Sequence, residues 1–267
     1  MARRIRKRIK SRVPEVLRAP LRPLYVAYKR LWHQADRRLG PSPWSRLRST
    51  KPVCSHFGVW RGKVVDRYYL EGFLQRHQDD VRGHVLEIAS PDYTRRFGGD
   101  RVTQSDVLHA VAGRETATMA GDLQTGLLVD GTPMPEGVYD CIILTETLCC
   151  IYDFRAAVDT VHRLLRPGGV VLATTGGIIQ ISRPDMEAWG EYWRFTSLSF
   201  RRVFEERFPA DHVEVEAHGN VLAATALLHG IAADELTAKE LDHHDPDYEI
   251  EICLRARKPL PSPAAHP

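Results

Sequence analysis

The chain predicts an α/β protein built on an open, doubly wound and mostly parallel sheet. Three observations lead there. From residue 84 onward, apolar strand-like runs alternate with helical patterns, and such alternation argues parallel strands with helices on both faces. Acidic residues stand where successive runs stop, at Glu87, Asp106 and Asp122. At the carboxyl ends of parallel strands they would face the crevice where open α/β sheets bind nucleosides. A composition of 43% hydrophobic and 27% charged residues over 267 positions is that of a globular chain able to fill a core.

The elements follow in order. Residues 1–50 hold 15 of the 37 Lys and Arg against two acids, Glu15 and Asp36; the rest has 22 basic and 32 acidic residues. Within this basic extension Leu24, Ala27, Tyr28, Leu31, Trp32 and Ala35 recur at helical spacing after Pro23, a residue suited to the first turn. A basic amphipathic helix is expected. It fits a solvated extension packed on the domain, or adhesion to an anionic membrane surface or acidic partner. RNA binding is a smaller third alternative, because basic charge alone does not tell phosphates in nucleic acid from those in lipid; no nucleic-acid partner is expected. The sequence has no apolar run of about 18 residues and no secretory apolar stretch of about 7 to 15. Its five cysteines lack C-x-x-C spacing, which suggests neither a disulfide framework nor a zinc site. The expected setting is cytoplasmic, with peripheral attachment at the inner membrane surface as an alternative.

Gly40 to Pro43 reads as a linker. Asp66 is placed to cap a helix whose Tyr69, Phe73 and Leu74 face the sheet. Strands are expected over 84–89, 101–105, 117–121, 139–145 and 169–175, with helices over 154–166 and 196–208. Thr196 precedes a helical pattern of Leu198, Phe200, Val203, Phe204 and Phe208, which makes it an N-cap. HVEVEA (212–217) and YEIEICLRA (248–256) alternate as strands do, and an apolar helix is inserted over Val221 to Leu236. Residues 259–267 form a proline-rich tail with nothing to bury, expected to be disordered.

Five segments carry a family likeness: GHVLEIASPDYTRRFGGDRVTQSDVLH from Gly83, ATMAGDL from Ala117, YDCIILTETLCCIYD from Tyr139, HRLLRPGGVVLATTGG from His162, and EYWRFTSLSFRRVFEERF from Glu191. In this order and spacing they resemble the class I S-adenosylmethionine-dependent methyltransferases, and the last resembles a subset found in bacterial polysaccharide and glycosyltransferase clusters. The resemblance spans Gly83 to Lys258, within a domain over 51–258. It implies a Rossmann-like sheet of seven strands whose last two form an antiparallel edge pair, and S-adenosylmethionine as cofactor. The implied cofactor residues are Glu87, Ala89, Ser90, Asp106 at the ribose, Gly121, Asp122 near the adenine, Leu123 and Thr145. Arg61, Arg67 and Tyr68, around a helix that covers the cofactor in that subset, are candidates for its carboxylate or for a substrate anion; structural ion pairs at the helix start are the alternative. One departure stands out: the family usually has glycines after the first strand, and here stand Ala89, Ser90 and Pro91. Glycine lets backbone turn tightly beside a ligand, but Ser90-Pro91-Asp92 is itself a turn-forming sequence.

Methyl transfer from a sulfonium asks mainly for alignment, and for a base where the acceptor must lose a proton. Glu146 is the candidate base or acceptor anchor; a helix-cap carboxylate is its plain reading. Tyr192, Trp193 and Arg194 suit a sugar face beside an anionic group, although Trp193 also reads as a lid on the core. The expected acceptor is a sugar hydroxyl in a glycan or its precursor. A small aromatic or polyketide hydroxyl is the alternative, which the apolar insertion would suit. His243, His244, Asp245 and Asp247 lack a further spaced ligand and read as a turn, so no metal is expected; His162 reads as structural. A nicotinamide oxidoreductase would need G-x-G-x-x-G where this chain has A-S-P-D-Y-T. A non-catalytic binding module derived from a methyltransferase stays open.

Overall fold

The computed structural model describes Pro23, Ala27, Tyr28, Arg30, Leu31 and residues 49–261. Those first five residues are helical and exposed, on the segment where a basic helix is expected. The rest of that helix and the end of the proline-rich tail lie outside the described residues.

The chain divides into two compact units. The smaller holds residues 1–65 and 226–235. There Cys54 N–H donates to the His229 carbonyl at 3.1 Å and Ala233 N–H to that of Lys63 at 2.7 Å. The larger, residues 66–225 and 236–267, carries the sheet.

That sheet has eight strands: β1 (Gly83–Ile88), β2 (Val102–His109), β3 (Met119–Asp122), β4 (Leu127–Leu128), β5 (Tyr139–Thr145), β6 (Leu165–Gly176), β7 (Val213–His218) and β8 (Glu251–Arg257). Their order is β4-β3-β2-β1-β5-β6-β8-β7. β1 pairs in parallel with both β2 and β5. The winding therefore reverses between β1 and β5, and a crevice opens beyond the carboxyl ends of those two strands. β8 runs antiparallel to β6 and β7, the expected edge pair. The eighth strand is the two-residue β4, antiparallel to β3 at the other edge. Gly121 admits this hairpin: a Cβ there would stand 2.6 Å from the Leu127 carbonyl oxygen.

Both faces of the sheet are covered. Leu70, Phe73 and Leu74 of α1 (Val65–Arg76) pack with Val85, Cys141, Ile143 and Leu172. Val158 and Val161 of α2 (Phe154–Leu164) pack with Leu86, Ile142, Leu144 and Val171 on the opposite face. Alternate residues of one strand serve opposite faces, so the central strands read as continuous apolar runs. After α3 (Arg183–Ala188), α4 (Ser197–Glu205) adds Phe200 and Phe204 to the second core. Thr196 caps α4 as expected, in a reciprocal box with Ser199. α5 (Val221–His229) and α6 (Ala238–Leu241) follow β7; α5 is the first part of the insertion expected to be helical as far as Leu236, and ends at His229.

Candidate active site

The turn after β1 takes the conformation glycine would give it, without glycine. Ala89 has φ +71°, a left-handed backbone that costs an L-residue roughly 1–2 kcal/mol. Its N–H continues the ladder to the Leu108 carbonyl at 2.9 Å, and Ser90 N–H folds back on Ile88 at 3.0 Å. Glu87 explains how the turn is held. It is 2% exposed, and its carboxylate accepts from Tyr93 N–H at 3.1 Å and Thr94 N–H at 2.7 Å. It fastens the loop to the sheet from behind, so its contribution to a ligand is through the backbone it positions.

Asp106 is not at a strand end. β2 continues three residues further, to His109, because its buried residues are Val107 and Leu108. The Asp106 carboxylate meets His84 Nε2 at 2.6 Å, Tyr139 Oη at 3.2 Å and Thr118 Oγ1 at 3.2 Å. His84 and Tyr139 lie at the beginnings of β1 and β5, away from the crevice. The expectation that Asp106 meets a ribose is corrected accordingly. The residue that closes β2 is His109, whose ring meets Trp189 edge-on at 5.4 Å. Burial and Arg114 push His109 below the ordinary histidine value. Val111 N–H donates to its Nδ1 at 3.1 Å, which leaves Nε2 carrying the proton of the neutral ring.

At the end of β3, Asp122 is exposed and Leu123 is buried in the core. One oxygen of the exposed Asp122 accepts from Gln124 N–H at 2.8 Å. Thr145 closes β5, and its carbonyl accepts from the Thr147 hydroxyl at 2.9 Å.

The charged centre of the site lies just beyond β5. Glu146 has φ +48°, its N–H bonds the Thr174 carbonyl at 3.0 Å, and the Thr174 hydroxyl donates to its Oε1 at 3.2 Å. Its Oε2 lies 3.6 Å from where a Cβ on Gly176 would stand. Around it gather Asp66, Arg67 and Glu251, whose charges act on one another. Glu251 is fully buried at the start of β8, opposite Gly176 of β6. Burial first, then Glu146 and Asp66, push Glu251 well above the ordinary carboxylate value. Burial likewise raises Asp66 to about 6, against the pull of Arg67. Asp66 sits within the first turn of α1 with one oxygen unpartnered, so its carboxylate serves this cluster and not the expected cap. Neither the Asp66 nor the Glu251 contribution was legible in sequence. Asp66 reads as a helix cap, and Glu251 is one acid in an alternating strand.

Other expected residues are deployed differently. Arg61 is buried in the smaller unit and paired twice with Glu235, at 2.7 Å each, so its role is the structural one. Tyr68 donates to Asp242 at 2.8 Å on the surface. Arg67 alone of those three joins the cluster. Tyr192 is exposed and meets the exposed Tyr152 edge-on at 5.3 Å. Trp193 packs on Phe154 and donates from Nε1 to the Ile151 and Tyr152 carbonyls at 3.1 Å. Arg194 pairs with Glu191 at 2.5 Å. Tyr192 N–H bonds the Cys149 carbonyl at 2.8 Å, which ties this aromatic segment to the turn that carries Glu146. His162 rests edge-on against Phe208. Asp245 N–H bonds the Gly219 carbonyl in a turn before β8.

Residues 75–227 match the family profile described as a methyltransferase domain. No curated protein matches the sequence. Among solved structures, the chain is similar to the N-methyltransferase NodS from Bradyrhizobium japonicum bound to S-adenosyl-L-homocysteine. Identity is 16% and TM-score 0.45, covering 82% of this chain and 97% of that one. It is similar also to an S-adenosylmethionine-dependent methyltransferase from Mesorhizobium loti. There identity is 17% and TM-score 0.44, covering 73% and 98%.

Proposed function

The chain belongs to the methyltransferase-domain family, and from that premise we propose that it transfers a methyl group from S-adenosylmethionine to a sugar hydroxyl of a glycan or its precursor. The observation that carries the reading is Glu146, placed where the winding of the sheet reverses and held by Thr174 with its carboxylate at the crevice.

The residues at the strand ends fit the cofactor. The turn at Ala89 and Ser90 already has the backbone that glycine would supply, so main chain lies open beside the crevice. The exposed Asp122 carboxylate can accept from an adenine amine, and His109 Nε2–H, at the end of β2, can donate to a ribose hydroxyl. When bound, the cofactor supplies a methyl group activated on sulfur. The chain supplies alignment and a place for the acceptor's proton. Glu146 receives that proton while Thr174 keeps Oε1 in position. The exposed faces of Tyr152 and Tyr192, fastened to the same turn, suit the apolar face of a pyranose. A cleft of about 350 Å³ beside them is lined by Tyr152, Asp153, Phe154, Arg155 and Trp193.

Incubation with labelled S-adenosylmethionine and separate panels of glycan precursors and small phenols tests the reading. Glu146→Gln is expected to lower transfer by about 10²–10⁴ while calorimetric cofactor binding stays unchanged. Methylation of phenols alone overturns the sugar assignment. Absence of both binding and transfer returns the chain to a non-catalytic module.

A further inference from the structure

One group at this site has no structural use. Glu251 is wholly buried, and neither of its carboxylate oxygens has a hydrogen-bond partner. Buried polar groups are nearly always satisfied, because an unpaired one forfeits its hydration without return. Neighbouring polar atoms are orphaned too: one oxygen of Asp66 and one guanidinium nitrogen of Arg67. With Glu251 they belong to the amino end of α1 and the start of β8. These unpaired charged atoms of two elements gather beside Glu146.

We propose that Glu251 and Glu146 form a carboxyl pair holding a single proton, in which Glu251 is the positioning residue that carries the resting proton and keeps Glu146 ionised toward the acceptor. The inference rests on the methyl-transfer reading and deepens it by assigning the path of the proton. Two carboxylates, with Asp66 a third, face one guanidinium, that of Arg67. Two like charges at one buried place cannot both ionise cheaply. The proton settles on the fully buried member, Glu251, which faces Glu146. Glu146 is half-exposed and accepts from the Thr174 hydroxyl. The remaining titratable and charged neighbours are Tyr93, Cys253 and His218, which stands opposite Glu251 in the ladder between β7 and β8 with Arg76 and Glu216 beside it.

The step balances without any further reagent. A lone pair of the acceptor hydroxyl oxygen forms the new bond to the methyl carbon, and the carbon–sulfur bond breaks with its electron pair remaining on sulfur. The hydroxyl proton passes to Glu146, and leaves to solvent from that half-exposed carboxyl after release. Glu251 keeps its own proton throughout.

The sign of the stability effect follows from the raised value of Glu251. A carboxyl raised in the folded state contributes stability that is complete below its unfolded value, about 4.3, and is lost as pH rises through the folded value. Replacing it by an uncharged isostere removes that loss. Glu251→Gln is therefore expected to unfold at a higher temperature than wild type, by a margin that grows with pH above about 4.3.

The decisive experiment combines three measurements on the full chain. Infrared spectra of wild type, titrated from about pH 5 to about pH 9, are expected to show a protonated carboxyl persisting above the ordinary carboxylate range, and Glu251→Gln is expected to lack it. Thermal unfolding of both proteins follows the pH-dependent margin. Methyl transfer by Glu251→Gln is expected to fall less than in Glu146→Gln, with a displaced pH profile, because the pair's two coupled steps become one. No protonated carboxyl in wild type, or the same band in Glu251→Gln, overturns the pair. An unchanged pH profile in Glu251→Gln overturns its positioning role and leaves methyl transfer standing. A shared proton in a wild type that transfers no methyl to any acceptor overturns the methyl-transfer reading, and the proton's catalytic use with it. The infrared and unfolding measurements need neither cofactor nor acceptor, so the two failures are told apart.

Discussion

At the scale of single residues, identity and conformation part company at Ala89. Its φ of +71° is one that glycine adopts freely, and the surrounding hydrogen bonds hold alanine there. Ala89→Gly is therefore expected to stabilise the protein by about 1 kcal/mol, read as a higher urea midpoint with an unchanged slope. Asp106 makes the complementary point. Removing its carboxylate leaves His84 and Tyr139 without their acceptor. Asp106→Ala should cost about 1–3 kcal/mol of stability while calorimetric cofactor affinity stays at the wild-type value. A variant that folds as well as wild type but loses cofactor would return Asp106 to the crevice.

At the scale of elements, the site depends on how strand ends are tied down. Glu87 accepts two backbone N–H groups of the segment that follows β1, and so shapes the turn at Ala89 from inside. Thr196 does comparable work on the other side of the sheet, where the capping box with Ser199 starts α4 and sets Phe200 and Phe204 against the core. Thr196→Ala is expected to lower stability by about 1 kcal/mol in chemical denaturation. Restoration by Thr196→Asp would attribute the loss to the cap and not to packing.

At the scale of the whole chain, charge is segregated. A basic extension of 50 residues precedes an acidic remainder. Among the described residues no helix is long and apolar enough to cross a membrane. The extension is proposed to hold the protein at an anionic surface. Such attraction is worth about 1 kcal/mol for each Lys or Arg near the surface and weakens with salt. Full-length protein should sediment with anionic vesicles at low salt and release at high salt, whereas a chain beginning at Lys51 should stay in the supernatant. Equal sedimentation of both would refute the role of the extension.

The sequence by itself determined the alternation of elements, and with it the doubly wound sheet; the antiparallel pair at its edge was implied by the family resemblance. The alternation follows from hydrophobic periodicity, a local property that survives in any register. It also marked Thr196 as a cap and the turn after β5 as the place for Glu146. Where β2 ends was decided by which residues the neighbouring strands and helices bury: Val107 and Leu108 carry the strand past Asp106 to His109. β4 escaped notice because two residues are too few to show a period, and only the close approach allowed by Gly121 pairs them. The acid cluster was invisible for a different reason. Asp66, Glu146 and Glu251 are scattered through the chain and meet only when the start of α1, the end of β5 and the start of β8 converge. Burial then makes their charges interact strongly, and no spacing in the sequence encodes that encounter.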